Sequence, residues 1–171
     1  MATVSKHSLE AWIAGTAAGD MDAFTRLYLE TSAAVYAYAL SFLRNPHDAE
    51  DILQDCYINI RTHAGQYKHG TNPMAWIMTI VKNLSLQQLQ RKSRTVELIP
   101  EVHLDACDAD PDDKLIVEAC LRMLSDEERQ IVVLHSVAGF KHREIGAFLN
   151  LPPATVITKY RRALKKMRSK L

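Results

Sequence analysis

LSDEERQIVVLHSVAGFKHREIGAFLNLPPATVITKYRRALKKMRSK, residues Leu124–Lys170, reads as three short helices running into a basic tail. Ser125 with Glu128 three positions on is a capping box, so a helix is expected to start near Asp126 and stop at Gly139. A second, short helix is expected over Arg143–Leu149, with Ile145, Phe148 and Leu149 as its apolar contacts. Pro152 and Pro153 push their preceding residues out of the helical region, so Asn150–Pro153 makes a turn. Pro153 then suits the first position of a new helix. On that last helix Ile157, Tyr160, Leu164 and Met167 share one face by helical spacing and are expected to pack inward. Thr155, Thr158, Lys159, Arg162 and Lys166 share the opposite face. A helix–turn–helix places such a set in a major groove, where Arg and Lys read guanine and Thr meets bases or phosphates. A cationic face on a surface helix is often only solvated. Against that stand the short helix, Pro turn and helix, and nine Lys/Arg in 141–171 opposed by Glu144 alone, a net +8.

Working outward, 171 residues allow one domain or two small ones. An apolar fraction of 47% with 24% charged residues fits an ordinary soluble globular protein. No window is apolar enough to span a membrane, and MATVSKHSLEAW lacks the pattern of a signal peptide. Cys56, Cys107 and Cys120 are odd in number and far apart, which suits reduced thiols and a cytoplasmic location. The net charge of +1 hides a strong pattern: −5 over 1–56, +6 over 57–96 with no acid, −9 over 97–128, then the basic tail. Two basic blocks around an acidic one suggest two nucleic-acid contacts joined by a connector that avoids or mimics the polyanion.

A short helix is expected over Ser8–Ala18, with Leu9, Trp12 and Ile13 on one side. Asp20 is a natural cap for a long helix to about Leu43, with Phe24, Leu27, Tyr28, Val35, Tyr36, Ala39 and Leu40 as core. Asp48–Thr62 is the next helix, burying Ala49, Ile52, Leu53, Cys56 and Ile60. Asp51, Gln54, Asp55 and Ile58 lie together on its outward side, where the isoleucine is either a plain surface residue or the centre of a protein-docking patch. His63–Asn72 is a loop containing Tyr67 and Lys68, and Pro73 opens a helix with Trp76, Ile77, Ile80, Val81 and Leu84 as core. Its other positions include Lys82, Asn83, Gln87, Gln90, Arg91 and Arg94. An aromatic loop beside a basic helix is one way to hold an unstacked base and its strand. Tyr67 and Trp76 fit ordinary packing as well. Thr95–Pro111 reads as an acidic, partly extended linker, and Asp112–Met123 begins a second domain.

Signals of catalysis are weak. There is no glycine-rich phosphate loop, and His135 and His142 lack partners at zinc spacing. No catalytic residue, metal or cofactor is expected. The expected fold is all-α: a helical bundle over 8–94, a linker over 95–111, and a helix–turn–helix domain over 112–171.

GDMDAFTRLY (Gly19–Tyr28), HDAEDILQDCYINI (His47–Ile60), Ala75-Trp76-Ile77 followed by Asn83, and Leu124–Val156 come in a telling order. Together they resemble the extracytoplasmic-function (ECF) subgroup of the bacterial sigma-70 family, over about Gly19–Leu171. The resemblance implies a non-enzymatic, cytoplasmic subunit that binds core RNA polymerase and directs promoter recognition and transcription initiation. It implies that Asp51, Gln54, Asp55 and Ile58 dock on the beta-prime clamp helices, with further contact to beta. Tyr67, Lys68, Lys82, Asn83, Gln87, Gln90, Arg91 and Arg94 would recognise and melt the minus-ten element of promoter DNA. Lys141, Arg143, Thr155, Thr158, Lys159, Arg162 and Lys166 would read the minus-thirty-five element. An anti-sigma factor is a further implied partner, and no membrane insertion is implied. Two DNA-facing segments depart from the family pattern: Gln87 and Gln90 stand where an Asp and an Arg are usual, and Thr158-Lys159-Tyr160 replaces a Ser-Arg-Leu-like run. Two other functions fit less of the chain. One is a stand-alone helix–turn–helix regulator, which leaves Asp48–Asp55 unexplained. The other is a sigma mimic that titrates an anti-sigma factor, which would not need the basic tail.

Overall fold

Ser5 begins the first helix two residues earlier than expected, because its hydroxyl accepts from the Ser8 amide at 3.0 Å and satisfies a free helix-end donor. In this computed structural model residues 5–94 and 123–169 are described. They form seven α-helices and no strand among the described residues. The chain divides into two units, Met1–Leu98 and Ile99–Leu171. The expected linker, and the helix expected from Asp112 apart from Met123, lie outside the described residues.

In the first unit α1 spans Lys6–Ala17, α2 Met21–Leu43, α3 Pro46–His63 and α4 Pro73–Arg94. Each boundary has a local cause. Asp20 Oδ1 accepts from the amides of Asp22 and Ala23 at 2.9 and 3.2 Å and starts α2. Arg44, left-handed at φ 54°, ends it. Asn45 and Asn72 cap α3 and α4 in the same manner, each just before a first-turn proline. The core takes Ile13 from α1, Leu27, Val35 and Tyr38 from α2, Ile52, Cys56 and Ile60 from α3, and Ile77, Met78 and Val81 from α4. Burial pushes the Cys56 thiol up to about 12, so it is a packing residue rather than a nucleophile. Tyr57 is buried with its hydroxyl 2.6 Å from that of Thr31, and Tyr28, expected in the core, is instead 40% exposed, its ring leaning on that of Tyr57 at 4.8 Å.

In the second unit α5 spans Asp126–Ser136, α6 His142–Leu149 and α7 Pro153–Arg168. The capping box forms: the Glu128 amide donates to Ser125 Oγ at 3.3 Å, and the Ser125 amide to Glu128 Oε2 at 3.0 Å. α5 ends three residues before Gly139, and the chain bends back so that the Phe140 amide reaches the Leu134 carbonyl at 2.9 Å. Arg129 is buried, its guanidinium donating to the Leu124 carbonyl at 2.9 Å and pairing with Asp126 at 3.3 Å.

One expectation needs correction. On α7 the fully buried side chains are Val156 and Ala163, while Ile157 and Leu164 are half-buried. The inward stripe is Val156, Tyr160, Ala163 and Met167, shifted from the face chosen by size and apolarity. Ala163 packs with Leu124 and Val132, and Tyr160 and Met167 close over that cluster. A small side chain at the crossing lets two helix backbones approach, which ranking by hydrophobicity overlooks.

The turn between α6 and α7 is equally tight. Asn150 is left-handed at φ 56°, the Leu151 amide donates to the Gly146 carbonyl at 2.9 Å, and a Cβ on Gly146 would sit 2.7 Å from the Leu151 carbonyl oxygen. Gly146→Ala is therefore expected to cost about 1–3 kcal/mol through overpacking against backbone. Thermal unfolding followed by circular dichroism checks this, and an unchanged profile would show that the turn yields to a methyl group.

Candidate nucleic-acid interface

α3 turns its apolar stripe of Ala49, Ile52, Cys56 and Ile60 inward, which leaves Asp51, Gln54, Asp55 and Ile58 exposed together on the other side. Ile58 is 63% exposed, a large apolar side chain on an otherwise polar face. Asp48 behaves differently from its acidic neighbours. It is buried at the start of α3 and pairs with Lys92 near the end of α4. That ion pair ties two helix ends together and removes Lys92 from the set of cations available to a ligand. Lys92 is distant in sequence, so no local pattern around Asp48 points to it.

The loop after α3 closes with a 3-10 turn over Ala64–Gln66. Tyr67 departs from the expectation of an accessible stacking ring. It is 6% exposed, its ring edge-on to Trp76 at 5.5 Å, with its hydroxyl within 2.9 Å of Glu10 Oε1 and 3.0 Å of the Thr71 carbonyl. A tyrosine buries its ring wherever its hydroxyl can find an acceptor, and here α1 supplies one. Lys68 and His69 stay exposed at the tip. Along α4, Asn83, Gln87, Gln90 and Arg91 are exposed and Lys82 is half-buried. Asn83, Gln87, Gln90 and position 94 fall on one stripe at helical spacing, although the Arg94 side chain lies outside the described residues.

In the second unit Lys141 and Arg143 are exposed at the start of α6. Ala154, Thr155, Thr158, Lys159 and Arg162 line a shallow depression at the head of α7. Thr158 and Arg162 are exposed there, and Thr155 and Lys159 are half-buried. Lys159 and Lys166, expected to face a ligand freely, are instead held by α5: Lys159 pairs with Glu127 at 2.6 Å and Lys166 with Glu128 at 2.7 Å. Glu128 is itself buried. Burial alone raises its carboxyl, but the Lys166 ammonium and the Ser125 amide outweigh it and leave the group below the ordinary carboxylate range. Arg161 and Lys165 are exposed on the same helix and were passed over in favour of the groove-facing stripe. The excess of base in 141–171 was the signal that could have found them.

His135 and His142 stack at 4.3 Å with Tyr160 edge-on to both. His135 Nδ1 donates to the Phe140 carbonyl at 2.7 Å, and burial, aided by His135 and Arg161, lowers the His142 pKa. Among the described residues no cluster of three or more His, Cys, Asp or Glu side chains could hold a metal ion. Among the same residues no helix is long and apolar enough to cross a membrane.

The described geometry defines a class: an all-helical protein with an acid-flanked apolar patch in one unit and a cationic helix–turn–helix in the other. Residues 27–95 match the family described as Sigma-70 region 2, and residues 114–167 that described as Sigma-70, region 4. The RNA polymerase sigma factor CarQ of Myxococcus xanthus is 29% identical over 90% of this chain and 91% of its own. The ECF RNA polymerase sigma factor SigK of Mycobacterium ulcerans is 28% identical over 94% and 92% of the two chains. Among solved structures, the sigma factor RpoE of Bartonella quintana, in complex with the anti-sigma factor NepR, aligns with a TM-score of 0.71 at 24% identity. It covers 86% of this chain and 95% of that one. CnrH, in complex with the cytosolic domain of CnrY, aligns at 0.68 and 21% identity, over 95% and 96% of the two chains. These two structural likenesses show the fold. The chain belongs to the sigma-70 family, in its extracytoplasmic-function group, and its function is that of an RNA polymerase sigma factor.

Because Lys166 compensates a buried carboxylate, Lys166→Met is expected to destabilise the fold by about 1–3 kcal/mol, whereas Arg162→Met leaves stability within about 0.5 kcal/mol. The lowered Glu128 pKa gives stability that is fully present above the unfolded value, near 4.5, and is lost as pH falls through the folded one. The gap between wild type and Lys166→Met is thus full at neutral pH and shrinks as carboxylates protonate. Denaturant titrations across that range test it, and a gap independent of pH would exclude Glu128 as its source.

Proposed function

We propose that the first unit, over 8–94, acts as the region 2-like domain and the second, over 112–171, as the region 4-like domain, with 95–111 as linker. In this reading Asp51, Gln54, Asp55 and Ile58 dock the protein on the beta-prime subunit of core polymerase, where the exposed isoleucine is covered and the carboxylates meet basic side chains. Lys68 and the α4 stripe of Asn83, Gln87, Gln90, Arg91 and Arg94, with Lys82, engage the melted minus-ten strand. Arg162, Thr155 and Thr158 enter the major groove at the minus-thirty-five element, with Lys141 and Arg143 at the phosphates. Lys159 and Lys166 exchange carboxylate partners for DNA phosphate or remain as braces. The observation that carries this reading is the order of the two family matches, 27–95 containing the docking and minus-ten sets and 114–167 the minus-thirty-five set. The protein acts in the cytoplasm without enzymatic activity of its own. An anti-sigma factor is its regulator, by analogy with the similar RpoE of Bartonella quintana, which is bound to the anti-sigma factor NepR.

Run-off transcription with purified core polymerase on fragments of the native genome tests the reading as a whole: discrete transcripts that depend on the protein are expected. Their absence with active core and folded protein would favour a titrating mimic. Asp51→Ala combined with Asp55→Ala is expected to weaken core binding without changing the melting temperature, and wild-type core affinity would discard the docking assignment. Arg162→Ala is expected to cost about 1–3 kcal/mol of promoter affinity and relax one minus-thirty-five position, if that residue pairs with a guanine. Selection from randomised duplexes reads this directly, and an unaltered preference removes Arg162 from base readout.

A further inference from the structure

α1 lies ahead of residue 27, where the region 2 match begins, yet two of its polar side chains leave their own helix to hold the loop that follows α3. Lys6 and Glu10 are one helical turn apart. Glu10 Oε1 accepts from the Tyr67 hydroxyl and from the Gly70 amide, both at 2.9 Å, and Lys6 Nζ donates to the Gly70 carbonyl at 2.9 Å. The segment so held is a tight turn: the Thr71 amide and hydroxyl both reach the Lys68 carbonyl, at 3.3 and 2.7 Å, and Gly70 is left-handed at φ 86°. Its tip exposes Lys68 and His69. The backbone of Gly70 is thus gripped on both its donor and its acceptor side by one exposed helix, while Leu9 and Ile13 anchor that helix in the core. The Gly70 amide first, and the Tyr67 hydroxyl second, hold the Glu10 carboxyl below its ordinary range, as expected for a carboxylate accepting two hydrogen bonds.

We propose that Glu10, assisted by Lys6, is a positioning residue that holds the Tyr67–Thr71 turn in the shape that receives the non-template minus-ten strand. This rests on the reading of that loop as a DNA-contacting element given above. The physical argument is one of ordering. A glycine-containing turn samples several backbone states in water, and freezing it on binding costs conformational entropy. A turn already fixed by charge-assisted hydrogen bonds avoids that cost, so the benefit appears in ligand affinity more than in fold stability. The clamp shares no residue with the α3 patch, so core docking serves as the control.

The test uses holoenzyme assembled from core polymerase and the full chain. The probe is a fluorescein-labelled single-stranded oligonucleotide carrying the minus-ten element of a promoter found by run-off transcription. Glu10→Ala is expected to weaken binding of that strand by about tenfold, the scale of one lost hydrogen bond to a charged group. Core affinity, minus-thirty-five duplex binding and melting temperature stay at wild-type values. Glu10→Gln, which keeps an acceptor oxygen, is expected to restore part of the affinity. Combining Glu10→Ala with Tyr67→Phe should give a loss smaller than the sum of the two. Wild-type strand affinity in Glu10→Ala, while Lys68→Ala with His69→Ala weakens it, overturns the positioning role and leaves the loop reading intact. If the tip variant is also without effect, the loop does not read the strand and both fall. A loss of core binding or of folding in both Glu10 variants would make Glu10 a structural residue and equally overturn the proposal.

Discussion

Burial of one side of α3 is the constraint on which the first unit depends. Ala49, Ile52, Cys56 and Ile60 are enclosed by side chains of α2 and α4, and burial of each larger one contributes about 1.5–3 kcal/mol. A helix buried along one stripe has no choice about the other. Asp51, Gln54, Asp55 and Ile58 therefore face outward with a rotation fixed by the core. Any slip that hid Ile58 would drive carboxylates into the interior, at a desolvation cost far above that of leaving one isoleucine exposed. The ion pair of buried Asp48 with exposed Lys92 reinforces this by joining the start of α3 to the end of α4.

The second unit solves a related problem with polar contacts. Its three described helices are 11, 8 and 16 residues long, and a small domain has little apolar surface to bury. Glu128 takes part in the capping box of α5 and also receives Lys166 from α7, so one carboxylate joins a local signal to a tertiary contact. Gly146 allows α6 and the turn before α7 to approach closely enough for the Leu151 amide to bond the Gly146 carbonyl. Both features limit how α7 can be rotated, and that rotation decides which of its many cations stay at the surface. The basic face is consequently divided between cations committed to α5 and those left at the surface, Arg162 among the latter with the exposed Thr158 hydroxyl on the same stripe.

The hydrogen bonds from Lys6 and Glu10 of α1 fix the Tyr67–Thr71 turn from outside that segment. Rigidity there does not require a bulky core beneath the loop, which would hide the Lys68 and His69 tip.

Helix starts were legible where their causes are local: Asp20 and the Ser125–Glu128 box each satisfy amides within three positions of themselves, whereas Asn45 starts α3 at Pro46, two residues ahead of the expected Asp48. The outward patch of α3 was equally legible, since a regular apolar stripe implies its complement. The family order of segments was readable too, and the two family matches bear it out. What only the tertiary structure decided are contacts between residues far apart in the chain: Asp48 with Lys92, Glu10 with Tyr67 and Gly70, and Lys166 with Glu128. The inward turn of α7 onto Val156 and Ala163 belongs with these, because it depends on how closely another helix approaches. Periodicity gives the direction in which a side chain leaves its own helix. Whether it meets water, a partner or a close backbone is set by the helix packed against it.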